Sequence, residues 1–395
     1  MEYVFIEEQS FLDFYVSDMK GASILAIDTE FMRKEKYYPE VCLIQISYKK
    51  GFAIVIDCLK SLDLTETMKV IYNPNIKKVF HSGRQDMEIF LYLNNKLPTN
   101  IFDTQLALLG LNIGQNLSYE KMVKYLLDVE LDKNLTVSNW FKRPLSKDQI
   151  KYAAFDVLYL YLLYEKIMQL LNKHNKLHWV ANLFLPLENP SYYDSNLNKI
   201  LLKFCDTSHD PNFLNTAKDL LQWREQLAKN INIAKKLILK DEVIAELSQL
   251  RPSTTDELAS ILDDTIIELY GTEIIEVITS VNQDNIISKD SFMPTNYVNH
   301  LNNGQKDLLN ILRTLLNNVA DKYKIHADLI CIQEDLACLI INIDKLETLA
   351  FATWKYEVFI NDAIDFLLGK VSIKVQDNCL VLHVLDELTQ HTTKE

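Results

Sequence analysis

The sequence is short of glycine and lacks the glycine patterns that hold phosphate groups. Its 395 residues include only eight glycines, and none lies in a G-x-x-x-x-G-K-S/T or G-x-G-x-x-G pattern. P-loops and dinucleotide-binding turns need those glycines because the backbone must approach the phosphates closely. Their absence argues against a nucleotide-driven motor and against a dinucleotide-dependent enzyme.

Paired cysteines, long apolar runs and a basic leader are also missing. The six cysteines are scattered, with no C-x-x-C pair and no histidine at zinc-ligand spacing, so we expect reduced, buried thiols. No run approaches the about 18 apolar residues that a membrane span requires. Residues 1–10 carry three glutamates and no basic residue, the wrong sign for a secretory or transit segment. The sequence therefore predicts a cytoplasmic protein without a membrane partner.

Excess positive charge is missing as well, because 41 basic residues face 54 acidic ones and the net charge is −13. A general nucleic-acid coat or tail protein is expected to be strongly basic, so this class is disfavoured. Residues 1–180 are balanced at 22 basic and 22 acidic, whereas residues 181–395 hold 19 basic and 32 acidic. The net charge thus leaves open a nucleic-acid enzyme that binds through a local patch.

The first 180 residues predict an α/β domain. Short runs rich in Ile and Val predict strands of one sheet at 24–27, 41–48, 52–56, 79–80 and 101–102. The first two or three should be antiparallel neighbours. Helices are predicted from Ser118 to Leu127 and from Ser146, where Gln149 completes a capping box, to about Leu171.

The second half predicts a multidomain, helical continuation. Residues 181–211 contain prolines among polar residues and read as a linker, with one helical turn near 197–204. Helical patterns then predict one small domain over 212–282 and a second over 298–370. In the C-terminal tail, 371–395, residues 371–385 alternate enough to allow a strand or a hairpin.

Asp28 and Glu30 end the first predicted strand, where residues two apart point to the same side. Two adjacent carboxylates repel each other unless a cation lies between them, and oxygen ligands suit Mg²⁺ or Mn²⁺. A solvated acidic loop at the strand end is the competing interpretation.

Three further residues extend this acidic constellation. Asp86 begins an apolar-periodic helix, where the helix dipole alone favours an aspartate. Tyr152 and Asp156 share one face of the predicted last helix, among apolar neighbours. A surface carboxylate beside a core tyrosine would give the same pattern. Taken together, four carboxylates predict a two-metal site for phosphodiester chemistry, with the tyrosine close to the attacking water.

These residues resemble the ribonuclease D family, in the tyrosine subtype of the DEDD 3′→5′ exonuclease superfamily. The stretches that carry the resemblance are ILAIDTEFMRKEKYYPEVCLIQIS (24–47), KVFHSGRQDMEIF (78–90), FDTQLA (102–107) and residues 118–160. The histidine subtype would place its base at the position of Lys151, so the tyrosine subtype fits better.

The resemblance implies a ribonuclease H-like exonuclease domain with a mixed sheet over 1–180. It implies two divalent ions, Mg²⁺ or Mn²⁺, and release of nucleoside 5′-monophosphates from RNA 3′ ends, as in tRNA 3′ maturation. The implied metal ligands are Asp28, Glu30, Asp86 and Asp156, with Tyr152 as the fifth catalytic residue. A monomer is expected. A DNA exonuclease of proofreading or repair type and a non-catalytic RNA-binding protein are the competing functions.

The helical half resembles the helicase-and-RNase-D C-terminal (HRDC) domain over about 212–280, with a divergent second copy over 298–370. Residues 218–240 form its one basic segment, and we expect Lys235 and Lys236 to contact RNA. A solvated helix face is the alternative.

Further substrate contacts are expected near the carboxylates, with core packing or structural hydrogen bonding as the alternative. The candidates are Phe31, Met32, His81, Lys133 and Arg143.

Overall fold

The structure is a computed structural model. It describes residues 1–113, 117–131, 138–193, 197–205, 208, 210–281, 297–343, 353–376 and 379–384. The strands are β1 (Glu2–Ile6), β2 (Ile24–Met32), β3 (Glu40–Lys49), β4 (Phe52–Asp57), β5 (Lys77–Phe80), β6 (Ile101–Asp103), β7 (Val371–Gln376) and β8 (Cys379–Val384).

Helices alternate with the strands along the first part of the chain. Up to residue 193 they are α1 (Gln9–Met19), α2 (Thr65–Ile71), α3 (Arg84–Asn94), α4 (Thr104–Ala107), α5 (Tyr119–Leu127), α6 (Lys147–Lys173) and α7 (Leu177–Val180). Short 3₁₀ turns lie at Leu108–Leu111, Ala181–Glu188 and Pro190–Tyr192.

The later helices are α8 (Leu197–Cys205), α9 (Pro211–Ile231), α10 (Lys235–Ile238), α11 (Asp241–Leu250), α12 (Thr255–Leu258), α13 (Asp264–Thr279), α14 (Asn303–Tyr323), α15 (Ala327–Ile330), α16 (Gln333–Ile341), α17 (Thr353–Lys355) and α18 (Asn361–Leu367). A 3₁₀ turn at Tyr297–His300 precedes α14, and a π-helical turn at Tyr356–Ile360 joins α17 to α18.

Six strands form a mixed sheet in the order β1-β4-β3-β2-β5-β6. Strand β3 is antiparallel to β2 and β4, as predicted, whereas β1 is parallel to β4 and β5 is parallel to β2. The strand β1 has no counterpart in the sequence prediction. It is an edge strand whose first two residues are exposed, so it lacks the apolar pattern of its neighbours.

Helix α6 packs on this sheet and fixes the position of the third predicted motif. Ser146 and Gln149 form the predicted capping box, with bonds of 3.0 Å and 3.1 Å between each backbone N–H and the other side chain. Ala153 and Ala154 are buried against Leu43 of β3 and neighbouring apolar side chains. Small residues on that helix face allow the helix to approach the sheet closely.

The chain forms two compact units, of which the first comprises residues 1–101, 132–161 and 185–295. Its helical part, α8 to α13, shares one apolar core, and Leu201 and Phe204 of α8 belong to that core. Arg224 is buried on α9 and donates to the Leu239 carbonyl at 2.6 Å and to Asp241 at 2.7 Å. The α/β-plus-helical fold class is confirmed, while the domain bounds drawn from the sequence stay predictions.

The second unit comprises residues 102–131, 162–184 and 296–395. Helix α14 packs against α15 and α16. The Trp179 ring centroid lies 5.2 Å from that of Tyr323 and 4.8 Å from that of Trp354. The alternating tail forms the antiparallel hairpin β7–β8, which confirms the predicted strand or hairpin.

Among the described residues, no helix is both long and apolar enough to cross a membrane. Cys42, Cys58, Cys331 and Cys338 are free thiols.

Candidate active site

The candidate active site begins at the end of β2. Asp28 lies opposite Gln45 of β3, and Glu30 lies opposite Leu43, so both carboxylates leave the sheet on the side that α6 covers. Asp156 of α6 completes the group, because carboxylate oxygens of Asp28, Glu30 and Asp156 lie within 4.8 Å of one another. Three of the four predicted metal ligands thus meet at one point.

The fourth carboxylate, Asp86, is held next to them by a residue that the sequence analysis missed. Asp86 lies buried in the first turn of α3, and the Thr29 hydroxyl donates to its Oδ1 at 2.5 Å. Because Thr29 stands between Asp28 and Glu30, this bond ties α3 to the strand end that carries the other two. Its place between the two acidic residues is the one feature of the sequence that could have pointed to Thr29.

The start of α3 also depends on a glycine. A Cβ on Gly83, the residue before α3, would lie 2.4 Å from Cβ of the buried Phe80. Only a residue without a side chain allows β5 to turn this closely into α3. Gly83 therefore fixes where α3 starts, and with it the position of Asp86 in the first turn of α3.

Burial and mutual repulsion raise the pKa values of the carboxylates at this site. Burial raises the pKa of Glu30 to about 9, helped by the charges of Asp156 and Asp86. Burial, and then the charges of Asp86, Asp156 and Glu30, likewise hold the pKa of Asp28 well above its usual range. The Glu30 carboxyl group therefore retains its proton near neutral pH unless a cation takes the place of that proton.

The donor set fits a hard divalent cation. Every donor in the group is a carboxylate oxygen, the ligand type that Mg²⁺ and Mn²⁺ prefer. A cation would also remove the mutual repulsion that raises these pKa values. The acidic group is therefore compatible with metal binding.

Tyr152 lies one helical turn before Asp156, and its ring packs into an apolar support. The centroid of its ring is 6.3 Å from that of Trp140, which is buried. Both rings belong to the apolar cluster around Cys42 and Leu43. Trp140 thus packs in the core beside the tyrosine.

Arg143 points inward from the loop before α6. Its Nε and Nη2 donate to the two carboxylate oxygens of Asp57, each at 2.6 Å, and Nη1 donates to the Trp140 carbonyl at 2.6 Å. The Asp57 side chain is fully buried. The guanidinium therefore holds this loop to the end of β4, and its predicted contact with substrate stays a prediction.

The other predicted substrate contacts lie at several places. Phe31 and Met32 follow a bulge in β2 and are half-buried, with Met32 against the cluster around Cys42. His81 is half-buried just after β5. Lys133 lies outside the described residues. On α10, Lys235 pairs with Glu225 at 2.9 Å, while Lys236 is exposed.

Comparisons with known proteins agree with this geometry. A family model described as 3′-5′ exonuclease matches residues 3–172, and the HRDC domain model matches residues 213–278. Ribonuclease D of Sphingobium indicum is 30% identical over 361 residues, which cover 90% of this chain and 92% of the relative. Ribonuclease D of Zymomonas mobilis is 29% identical over 389 residues, covering 94% and 95%.

Among solved structures, Escherichia coli RNase D shares the fold with a TM-score of 0.76, at 22% identity, over 93% of this chain and 99% of that one. The fold and the site thus define a 3′–5′ exonuclease with a carboxylate centre and a C-terminal HRDC region. More closely, the chain belongs to the ribonuclease D family of 3′–5′ exoribonucleases. The family resemblance seen in the sequence is confirmed.

Proposed function

We propose that this protein trims structured RNA, including tRNA precursors, from the 3′ end by two-metal-ion hydrolysis. The observation that carries the proposal is the meeting of Asp28, Glu30 and Asp156 within 4.8 Å, with Asp86 tied to the same strand by Thr29. The solved E. coli relative is described as an exoribonuclease involved in structured RNA processing, which supports this substrate class.

The four carboxylates would bind the cations. The hydrogen bond from Thr29 holds Asp86 in position. Two bound Mg²⁺ or Mn²⁺ ions would supply Lewis-acid stabilisation of the charge that develops on the phosphate oxygens. Trp140 and the apolar cluster fix the ring of Tyr152 so that its hydroxyl orients the attacking water. Water adds across the terminal P–O3′ bond, the last nucleotide leaves as its 5′-monophosphate, and the shortened RNA keeps a 3′ hydroxyl.

We propose that the protein is a monomer that acts in the cytoplasm. The free thiols of Cys42, Cys58, Cys331 and Cys338 support a compartment in which thiols stay reduced.

The test compares matched RNA and DNA oligonucleotides, labelled at the 5′ end, with Mg²⁺, with Mn²⁺ and with EDTA. We expect stepwise release of mononucleotides from RNA, faster than from DNA, and none in EDTA. Asp28→Ala and Asp156→Ala should abolish the activity, and Tyr152→Phe should lower kcat by about 10²-fold or more without loss of metal. Asp148→Ala, an exposed aspartate on the same helix, is the matched control and should stay active.

Several results would contradict the proposal. Release of mononucleotides by Asp28→Ala would remove this carboxylate from the site. Full activity of Tyr152→Phe would refute the role of the phenol. DNA degraded as fast as RNA would favour a DNA exonuclease, and no release from either would favour a non-catalytic RNA-binding protein.

A further inference from the structure

The first compact unit contains a polar cavity of about 900 Å³ outside the carboxylate group. Its walls come from the segment between β2 and β3, the start of α3, the 3₁₀ turn Pro190–Tyr192 and the start of α10. We propose that this cavity binds single-stranded RNA two or three nucleotides upstream of the bond that is cut. The proposal rests on the proposed function, because it assigns a path to the same substrate.

The position of the cavity follows from the chain. Arg33 stands three residues after Glu30, where β2 ends, and Arg84 stands two residues before Asp86 in the first turn of α3. Three residues of extended chain span about 10 Å. A stacked strand advances about 3.4 Å per phosphate, so roughly three nucleotides cover this distance. An RNA strand bound at the carboxylates could therefore reach the cavity along the end of β2, through Arg33, and along the start of α3, through Arg84.

The charge of the lining suits a phosphate backbone. Four cationic side chains, Arg33, Lys36, Arg84 and Lys235, face the cavity with a single carboxylate, that of Glu88. In a chain with a net charge of −13, this local excess of positive charge needs an explanation. Phosphates of a single strand provide one, because cationic grooves track the backbone of such strands.

Three of these four cations already pair with a carboxylate. Arg33 pairs with Glu88 at 3.1 Å, and Lys235 pairs with Glu225 at 2.9 Å. Lys36 pairs with Glu40 beside it. Arg84 is an exposed residue without an ion pair within the described part of the chain, and its Nη2 donates only a long bond of 3.5 Å to the Tyr192 carbonyl. Arg84 is therefore the cation most available to a phosphate.

Aromatic rings beside Arg84 offer a surface for a base. The guanidinium lies 5.3 Å from the ring centroid of Tyr192 and 5.8 Å from that of Tyr193. Tyr192 keeps 45% of its surface exposed, so a base can reach it from solvent. Cations interleaved with exposed aromatic rings are the combination that binds single strands without reading their sequence.

The walls are fixed before any ligand arrives. The Tyr37 hydroxyl donates to Glu225, and the backbone N–H of Ala234 donates to the Glu35 carbonyl at 2.9 Å. These bonds join the segment after β2 to the HRDC region. The Tyr38 ring stacks on Tyr92 of α3, with centroids 4.0 Å apart. Binding to walls already in place costs little ordering entropy.

The experiment compares kcat/KM for an RNA dinucleotide with kcat/KM for an RNA decamer, since only the decamer reaches the cavity. Arg84→Ala and Tyr192→Ala should each lower the decamer-to-dinucleotide ratio by roughly tenfold or more, the loss of one phosphate or stacking contact. Tyr192→Phe keeps the ring and should keep the ratio. Tyr125→Ala, which removes a tyrosine on α5 that is 67% exposed against 45% for Tyr192, is the control.

A binding measurement gives a second readout. Anisotropy of a labelled decamer in EDTA, followed over a salt series, should show a slope of log K against log salt that is about 0.7 smaller for Arg84→Ala. Lys36→Glu, an exposed substitution, should weaken binding in the same assay and serves if either alanine variant fails to fold.

The outcomes separate the two proposals. An unchanged ratio and an unchanged slope in active variants would overturn the cavity's role and leave the proposed function standing. Equal losses on dinucleotide and decamer would mean general damage to the site, and would also overturn it. A wild-type protein that degrades neither RNA would instead refute the proposed function.

Discussion

Replacing Arg143 with methionine would leave the buried carboxylate of Asp57 without its cationic partner. The Asp57 side chain is 0% exposed and receives two charge-assisted bonds of 2.6 Å from this guanidinium. After the substitution Asp57 keeps the bond from the backbone N–H of Leu59, at 3.1 Å. Breaking a buried ion pair by removing one partner costs about 3–5 kcal/mol.

The lower end of that range applies here. The Arg143 side chain is 21% exposed, so water entering the vacated space solvates Asp57 in part. We therefore expect Arg143→Met to lower the free energy of unfolding by about 3 kcal/mol. The loop that carries Trp140 should loosen as well, because Arg143 also binds the Trp140 carbonyl.

Urea unfolding followed by circular dichroism measures this loss. Asp57→Asn and the double variant complete a double-mutant cycle, whose coupling energy isolates the ion pair. Lys20→Met breaks an exposed pair with Glu66, 56% and 45% exposed, and should cost less than about 1 kcal/mol. A similarly small cost for Arg143→Met, together with a raised KM for RNA, would refute the structural role and support contact with substrate.

Three further predictions concern the site and its surroundings. Because the pKa of Glu30 stands at about 9 without a cation, binding Mg²⁺ or Mn²⁺ at pH 7–8 should release protons, and affinity should weaken as pH falls. The same shift means that metal-free stability declines as pH rises from the unfolded value of about 4.3 towards 9, since the protonated form favours the fold. Calorimetry in two buffers of different ionisation heat checks the release, and identical heats would contradict it. Gly83→Ala should cost about 1–3 kcal/mol and lower kcat through Asp86, because its Cβ would meet Phe80 at 2.4 Å. Gly21→Ala, with nothing within 4 Å, is its control, and equal melting temperatures for the two variants would count against the close approach. Charge reversal of Lys235 and Lys236 should weaken RNA binding and reduce its salt dependence, and unchanged binding across a salt series would exclude this contact.

Much of the site could be predicted because the spacing of residues along the chain fixes its local geometry. Residues two apart in a strand share a side, and this periodicity alone places Asp28 and Glu30 together. The capping residues Ser146 and Gln149 fix where α6 starts, and hence which face carries Tyr152 and Asp156. Both inferences use periodicity and caps, which depend only on neighbours in the chain.

The partners of the polar side chains could not be predicted in the same way. Arg143 in a polar stretch suggested a phosphate contact, yet its guanidinium binds Asp57, which lies 86 residues away in the chain. Thr29 carried no motif, yet its bond to Asp86 joins residues 57 apart. A charged side chain has many partners of similar chemistry, and packing of distant elements selects one of them.

The sequence by itself predicted the chemistry of the candidate site: two carboxylates at a strand end, one in a helix start, and a carboxylate with a tyrosine on one face of another helix. Tertiary structure alone decided which cations line the polar cavity and which, like Arg143, hold parts of the scaffold together. It also decided that the net charge of −13 coexists with a cationic cavity beside the carboxylates. The reason is physical: composition sums charges over the whole chain, whereas binding depends on the few charges that folding places around one space.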